Sequence, residues 1–355
     1  MKSKNYSEKI LKVFKKKGFV FSEPDVLLDS NYIIQRSGEN FKKLMINFED
    51  DSGKNMCLRP DLTLASCVKY LKENSIGTAK IYYSGQAYRR SNNSKESIAN
   101  DQIGLEIIGS KKKTLDDKEI INTILKSIDK IKIKNVSINI GDVSFFRQLV
   151  DSLSIPERWK LRLIRHFWRP KYFEDLLNRL ETNSDIDPIA VDFDKKKFSE
   201  MKNLDQNQEI AGRKISEILS RFDKKISDPR SFTEGKKIVK MIREFLKISC
   251  PIDQIDKNLN KFFKKNNIKQ NVIKNLLPTK ILSQSNYKII FSTNFGRDIE
   301  YYTGMVFAIW ASANKNKQEI ARGGRYDDLL KNLGSNKDIS AVGAAINLNN
   351  LSRLV

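Results

Sequence analysis

The chain has 355 residues, 39% hydrophobic and 30% charged, with a formal net charge of +22. That length buries a large core and leaves room for two structural units, and the balance is that of a globular protein. No apolar run approaches the ~18 residues of a membrane span, the three cysteines form no CxxC pair, and the lone His166 leaves no basis for a His-rich metal site or a Ser-His-Asp triad.

The opening stretch, MKSKNYSEKILKVFKKKGF, lacks the apolar core of a signal peptide. It reads as an amphipathic helix with Ile10, Leu11, Val13 and Phe14 on one side and Gly18 as its stop, and a cytoplasmic protein is expected. Residues 43–49 alternate like a half-buried strand, Asp50-Asp51-Ser52-Gly53 is turn chemistry, and MCLR returns as the second strand of a hairpin. Pro60 and Asp61 open a helix with Leu64, Ala65, Val68 and Leu71 on one face and Asp61 as N-cap. Strands follow in KIYYSGQAYRR and QIGLEIIG, then a helix bearing Ile120, Ile121, Ile124 and Ile128, the strand NVSINIG and the helix SFFRQLVDSL.

From about 155 to 265 the pattern is nearly all helical, and it is read as an insertion. Strands return in YKIIFSTN, EYYTGMVFAIW and QEIARGGRY, a short helix DDLLKNL ends at Gly334, and AVGAAINLNNLSRLV closes the chain. The expected fold is α+β: one sheet domain over 1–154 and 266–355, interrupted by a helical unit over 155–265. The positive charge is mostly lysine spread along the chain among Asn and Ile, without an RGG tract, an RNP-like motif or a zinc finger, so nucleic acid is not an expected partner.

Strand faces point to a site. Residues two apart share a face, which places Gln102, Gly104 and Glu106 together, opposite Ile103, Leu105 and Ile107. On the preceding strand Tyr83, Gly85, Ala87 and Arg89 share a face. Small residues between hydrogen-bonding ones describe a floor with space above it. The third piece is RDIEYYTG, where Arg297 offers a bidentate fork to a carboxylate, a bond of ~1.5–3 kcal/mol. Glu106 and Asp61 can hold an ammonium or an imidazole, so the set describes a pocket for a small zwitterion. Taken singly, each strand also reads as a solvated face, and Arg297 with Glu300 reads more readily as a surface ion pair.

LRPDLT (58–63), YYSGQAYRR (82–90), QIGLEIIG (102–109), RDIEYYTGMVF (297–307) and GGRYDDLL (323–330) stand in the order seen in class II histidyl-tRNA synthetases and their paralogues. The chain resembles that family over most of its length outside the helical insertion. The resemblance implies a class II aminoacyl-tRNA synthetase-like antiparallel sheet of six strands flanked by helices, in a homodimeric core. It implies a histidine site in which Asp61, Thr63 and Gln102 surround the amino group and Arg297 meets the carboxylate. Glu106 with Tyr302 would read the imidazole, Tyr301 and Tyr326 would line the pocket, and Arg89 is the arginine kept from the second motif.

The departures bear on function. Ser91 stands where the family has an acidic residue, Glu96 where it has an arginine, and Asn349-Asn350 where it has a Glu-Arg pair, with Arg353 three residues on. ATP phosphates need fixed cationic donors, and the C-terminal anticodon-binding domain is expected to be absent. The chain therefore looks like the family's regulatory paralogues, the regulatory subunits of ATP phosphoribosyltransferase. That likeness implies no catalytic residue, no cofactor and no metal. It implies a hetero-oligomer with a short-form catalytic subunit in the first step of histidine biosynthesis, with histidine as feedback effector. The alternative is a minimal synthetase-like enzyme that forms histidyl-adenylate or charges a non-tRNA carrier; an RNA-binding module rests on net charge alone.

Overall fold

The computed structural model describes residues 2–37, 39–73, 77–90, 97–182, 188–226, 232–269, 272–274, 277–283, 285–297, 301–313 and 316–354. Ser91, Glu96 and Glu300 lie outside these residues. The chain divides into two compact units, the first Met1–Ser144, Ser249–Leu259 and Lys274–Val355, the second Phe145–Ile248 and Asn260–Ile273.

The strands, in chain order, are β1 (Val20–Phe21), β2 (Leu27–Asp29), β3 (Ile46–Glu49), β4 (Asn55–Leu58), β5 (Ala79–Tyr88), β6 (Ala99–Ile108), β7 (Val136–Asp142), β8 (Glu209–Ile210), β9 (Arg213–Lys214), β10 (Ser249–Pro251), β11 (Lys288–Ser292), β12 (Met305–Ala313), β13 (Asn316–Arg325) and β14 (Ala341–Asn347). The first unit is built on a nine-stranded sheet in the order β1-β5-β6-β14-β13-β12-β7-β11-β10. Its six central strands, β5 to β7, are antiparallel throughout. Parallel β1 extends one edge, and parallel β11 followed by antiparallel β10 extends the other. The six-stranded antiparallel sheet expected from the sequence is thus the centre of a larger mixed one.

One face of the centre is covered by the helix Lys113–Ile131, whose Ile120, Ile121, Ile124 and Ile128 are fully buried. The helix Lys2–Lys16 packs on it and buries Ile10 and Phe14, and Gly18 ends that helix with φ +81. The helix Leu62–Lys72 lies against β5 and β6 and buries Leu64, Ala65 and Val68. A separate three-stranded sheet, β2-β4-β3, carries the hairpin, whose turn is fixed by Asp50 Oδ1 accepting from the amides of Ser52 and Lys54 at 2.9 Å. Residues 39–44, partly assigned to that strand from the sequence, are helical.

The segment Tyr301–Gly304 differs from the sequence expectation in a way that matters for the site. It is a turn before β12, not part of the strand, and it is tied down by the Thr303 amide donating to the Arg325 carbonyl at 2.8 Å. In a strand the two tyrosines would point to opposite faces; in a turn both rings stay on one side, 4.9 Å apart.

The second unit is mainly helical, as its periodicity predicts, and packs Trp159, Leu163, Phe173 and Leu177 in its core. Phe146 stacks on Phe167 at 4.0 Å. It also contains what an all-helical reading omits, the two-stranded β8–β9 hairpin turning through Ala211 and Gly212, both at positive φ.

Candidate functional site

The site grows from the start of the helix Leu62–Lys72. Asp61 caps it, Oδ1 accepting from the Leu64 amide at 3.1 Å, and its other oxygen accepts from Arg89 Nη2 at 2.9 Å. Arg89 Nε donates to the Pro60 carbonyl at 2.6 Å. One carboxylate thus completes the helix N-terminus and fixes an arginine.

Thr63, in the first turn, donates to Glu106 Oε1 at 2.7 Å, and Tyr83 donates to the same oxygen at 2.9 Å. The Tyr326 hydroxyl donates to Oε2. Glu106 is wholly buried, and burial pushes its carboxyl up to about 7 although the three hydroxyls favour the charged form. Burial also raises the phenols of Tyr83 and Tyr326 well above their ordinary value, so both remain neutral donors.

The floor beneath is made of glycines, and here the structure revises the expectation. In register, Gly104 faces Tyr83 and Gly343 faces Glu106. A Cβ on Gly104 would sit 2.4 Å from the Tyr83 ring, one on Gly343 would sit 1.3 Å from Glu106 Oε2, and one on Gly85 would sit 2.6 Å from Arg59 Nη2. The spaces above Gly104 and Gly85 are filled by the protein's own side chains. The ligand-sized cavity, of about 390 Å³, is bounded instead by Gly323 of β13 and Gly343, Ala344 and Ala345 of β14.

That cavity is lined by seven of the nine residues singled out from the sequence: Asp61, Thr63, Arg89, Gln102, Tyr301, Tyr302 and Tyr326. The Tyr301 and Tyr326 rings meet edge-on at 5.9 Å, and a Cβ on Gly324 would lie 2.8 Å from the Tyr302 ring. Glu106 is not in the lining; it sits below Thr63 and Tyr326 and orients their hydroxyls. Arg297 is not in the lining either: it is 8% exposed, and Nη1 donates to Asn294 at 2.7 Å.

Four polar lining residues escaped the sequence reading as ligand-site members: Glu319, Arg322, Asn347 and Asn350. Glu319 and Arg322 are three apart on β13 and would ordinarily face opposite ways. The β12–β13 register slips at this point, Ile309 facing Ala321 and Trp310 facing Glu319, which leaves Ile320 as an extra residue. This bulge turns both side chains to one face, where Arg322 Nε and Nη2 donate to the two Glu319 oxygens at 2.8 and 2.7 Å. Asn350 Nδ2 donates to the Glu319 carbonyl at 2.9 Å, and its amide is capped by Asn347 Oδ1 at 3.0 Å. Asn349 bonds the β6 backbone at Ala99 and Asp101, both at 3.3 Å. Arg353 is exposed and is not in the lining.

The residues around Tyr326 hold it in place. Buried Arg325 donates to Asp117 at 2.9 and 2.7 Å and to Asp327 at 2.8 Å, and Asp327 accepts from the Ala341 amide at 3.0 Å. A larger groove of about 760 Å³ lies between β2, β4 and residues 333–339. Its Lys54 and Lys72 are paired with Asp29 and Asp25, and among the described residues no buried titratable cluster converges on it, so the smaller cavity is the candidate site.

With this geometry in hand, known proteins offer a comparison. A family model described as Histidyl-tRNA synthetase matches residues 1–351. Curated relatives include an ATP phosphoribosyltransferase regulatory subunit of Allorhizobium ampelinum, 26% identical over 96% of this chain and 95% of the relative. A protein of the same description from Rhizobium rhizogenes is 26% identical over 88% of this chain and 87% of the relative. Among solved structures, an ATP phosphoribosyltransferase regulatory subunit/histidyl-tRNA synthetase from Bacillus halodurans superposes with TM-score 0.61 at 16% identity, covering 100% of this chain and 79% of that one. A histidine–tRNA ligase subunit from Alicyclobacillus acidocaldarius gives 0.57 at 17% identity, over 98% of this chain and 91% of that one. At these identities the structural likeness speaks to the fold.

Proposed function

Because the chain belongs to the histidyl-tRNA synthetase family, we propose that it is a regulatory member of it: a non-catalytic, cytoplasmic subunit of ATP phosphoribosyltransferase that binds histidine and passes its presence to a short-form catalytic subunit. The observation that carries this reading is Asn350. It stands at the cavity wall where the family's motif has an arginine, and its neutral amide is spent on the Glu319 carbonyl. A wall without that cation lacks a donor for the charge that develops on phosphates during adenylate formation. The amino-acid end keeps its polar groups. Asp61, Thr63 and Gln102 would surround the ammonium, and Tyr301, Tyr302 and Tyr326 would enclose the imidazole. Glu106 acts from beneath through the hydroxyls it orients, and Arg297, outside the cavity lining and bonded to Asn294, would have to turn toward the carboxylate to meet it. The relatives' regulatory names, over most of both chains, support the assignment; the proposal includes a homodimeric core joined to the catalytic partner in a hetero-oligomer.

The test is a reconstitution. Mixed with a cognate short-form phosphoribosyltransferase, this chain should form a hetero-oligomer and raise that enzyme's activity, and histidine should then suppress it. By linkage, assembly must change this chain's histidine affinity if histidine favours one assembled state. Alone, the chain should show no histidine-dependent ATP–pyrophosphate exchange. Exchange activity without any effect on the partner would favour the adenylate-forming enzyme instead.

A further inference from the structure

The cavity is longer than an amino acid needs. From Gly343, beside Glu106, to Asn347 is four residues of β14, about 13 Å at the usual strand rise. The Glu106 end is aromatic and hydroxylic. The Asn347 end holds Glu319, Arg322 and Asn350, with Gln102 opposite Asn347 on β6. We propose that the Glu319–Arg322 pair closes this second end to phosphate groups, so that the cavity admits a small zwitterion and rejects a nucleotide; the choice of zwitterion rests on the histidine reading above.

Three observations carry the proposal. First, the pair exists only because of the bulge at Ile320; in a regular strand the carboxylate and the guanidinium would lie on opposite faces of the sheet. Second, its geometry is fixed from several sides. Both Glu319 oxygens accept from Arg322, the Glu319 carbonyl is held by Asn350, and the Arg322 guanidinium lies over the Phe295 ring at 5.7 Å. Third, the charges of the described lining cancel. Its arginines are Arg89 and Arg322 and its carboxylates are Asp61 and Glu319, and each guanidinium is within 3 Å of one of those carboxylates. A phosphate entering beside Arg322 must either displace Glu319 or sit against it. The displacement breaks a bidentate bond, and the juxtaposition is a like-charge contact in a partly dry site, since the two side chains are only 21% and 24% exposed.

The experiment titrates inorganic pyrophosphate, and in parallel histidine, into the full chain by calorimetry. The native protein should bind pyrophosphate no better than weakly, with millimolar affinity or worse. Glu319→Gln removes the competing carboxylate and keeps the side-chain volume, and it should bind pyrophosphate at least about tenfold more tightly. The further change Arg322→Gln in that background should abolish the gain. Should Glu319→Gln fail to fold by circular dichroism, Glu319→Ala serves the same comparison. Submillimolar binding by the native chain, or an unchanged affinity in a folded Glu319 variant, overturns the closure. Histidine separates the two readings: a pyrophosphate gain in a protein that never binds histidine keeps the closure and overturns the ligand assignment, and histidine binding without any gain does the reverse.

Discussion

Glu106→Gln should flatten the pH dependence of stability, and the structure sets the size of the effect. The carboxyl's ordinary value is 4.5, and burial raises it to about 7 in the folded protein. Between these values the native state holds a proton that the unfolded chain has released. The slope of unfolding free energy against pH, 2.303RT times unfolded minus native protons bound, is therefore negative there. Stability contributed by this group is present in full below pH 4.5, is lost as pH rises to 7, and is constant above. About 2.5 pKa units at 1.36 kcal/mol each is roughly 3 kcal/mol. Glutamine keeps an acceptor for Thr63 and Tyr83 but does not titrate. Urea unfolding followed by far-UV circular dichroism at pH 4.5, 6 and 8 gives the native-minus-variant difference, which should shift by roughly 3 kcal/mol across the series, with the native protein losing relative ground at high pH. Asp142, which burial raises to about 6, titrates in both proteins and cancels. A difference that does not change with pH would refute the reasoning.

Other expectations follow from the same cluster. Asp61→Asn keeps an oxygen for the Leu64 amide and gives up the charge opposite Arg89, so histidine affinity measured by calorimetry should fall more than tenfold, given the ~2–5 kcal/mol typical for an unpaired buried charge. Asp61→Ala should add a loss of about 1 kcal/mol in stability from the missing cap, read as a lower urea midpoint relative to Asp61→Asn. Gly343→Ala places a methyl carbon 1.3 Å from Glu106 Oε2 and should cost at least ~2 kcal/mol, visible as a lower melting temperature. Arg325→Met leaves buried Asp117 without its partner and should cost ~3–5 kcal/mol, most of which returns when Asp117→Leu is added; a double-mutant cycle measures the coupling.

The parts of the fold that were legible in the sequence are those set by local pattern. Asp61 as an N-cap, the period of Ile120, Ile121, Ile124 and Ile128, and the alternation in QIGLEIIG each follow from a single element, and each is met. What the sequence did not carry depends on register between strands. Nothing in QEIARGGRY announces that Ile320 is an extra residue opposite Ile309 and Trp310, so Glu319 and Arg322 could not be placed on one face. The same holds for the glycines. A small residue in a strand signals that something approaches closely, but not whether it is a ligand or the protein's own Tyr83 and Arg59. The sequence neighbours of Tyr301 and Tyr302 predict a strand through both, and the turn that keeps both rings in the cavity is closed by Arg325, more than twenty residues away.

The same glycines bear on how the site tolerates change around it. Gly324 and Gly343 are register partners on β13 and β14, Gly104 on β6 lies two residues from Glu106, the partner of Gly343, and over the three glycines rest Tyr302, Glu106 and Tyr83. The shape of the floor is therefore set by backbone, and the only requirement on these positions is the absence of a Cβ. The walls are a different matter, because they are side chains: Asn350 can stand where a cation would otherwise be, and a bulge can bring Glu319 to Arg322, without moving a strand of the floor. A sheet of this kind can keep the side chains proposed to hold an amino acid and change those that would meet phosphates, since Gly343 and Asn347 stand about 13 Å apart along β14. That separation is what allows a binding protein to be built on a catalytic scaffold, and it is why the loss of one wall does not imply the loss of the other.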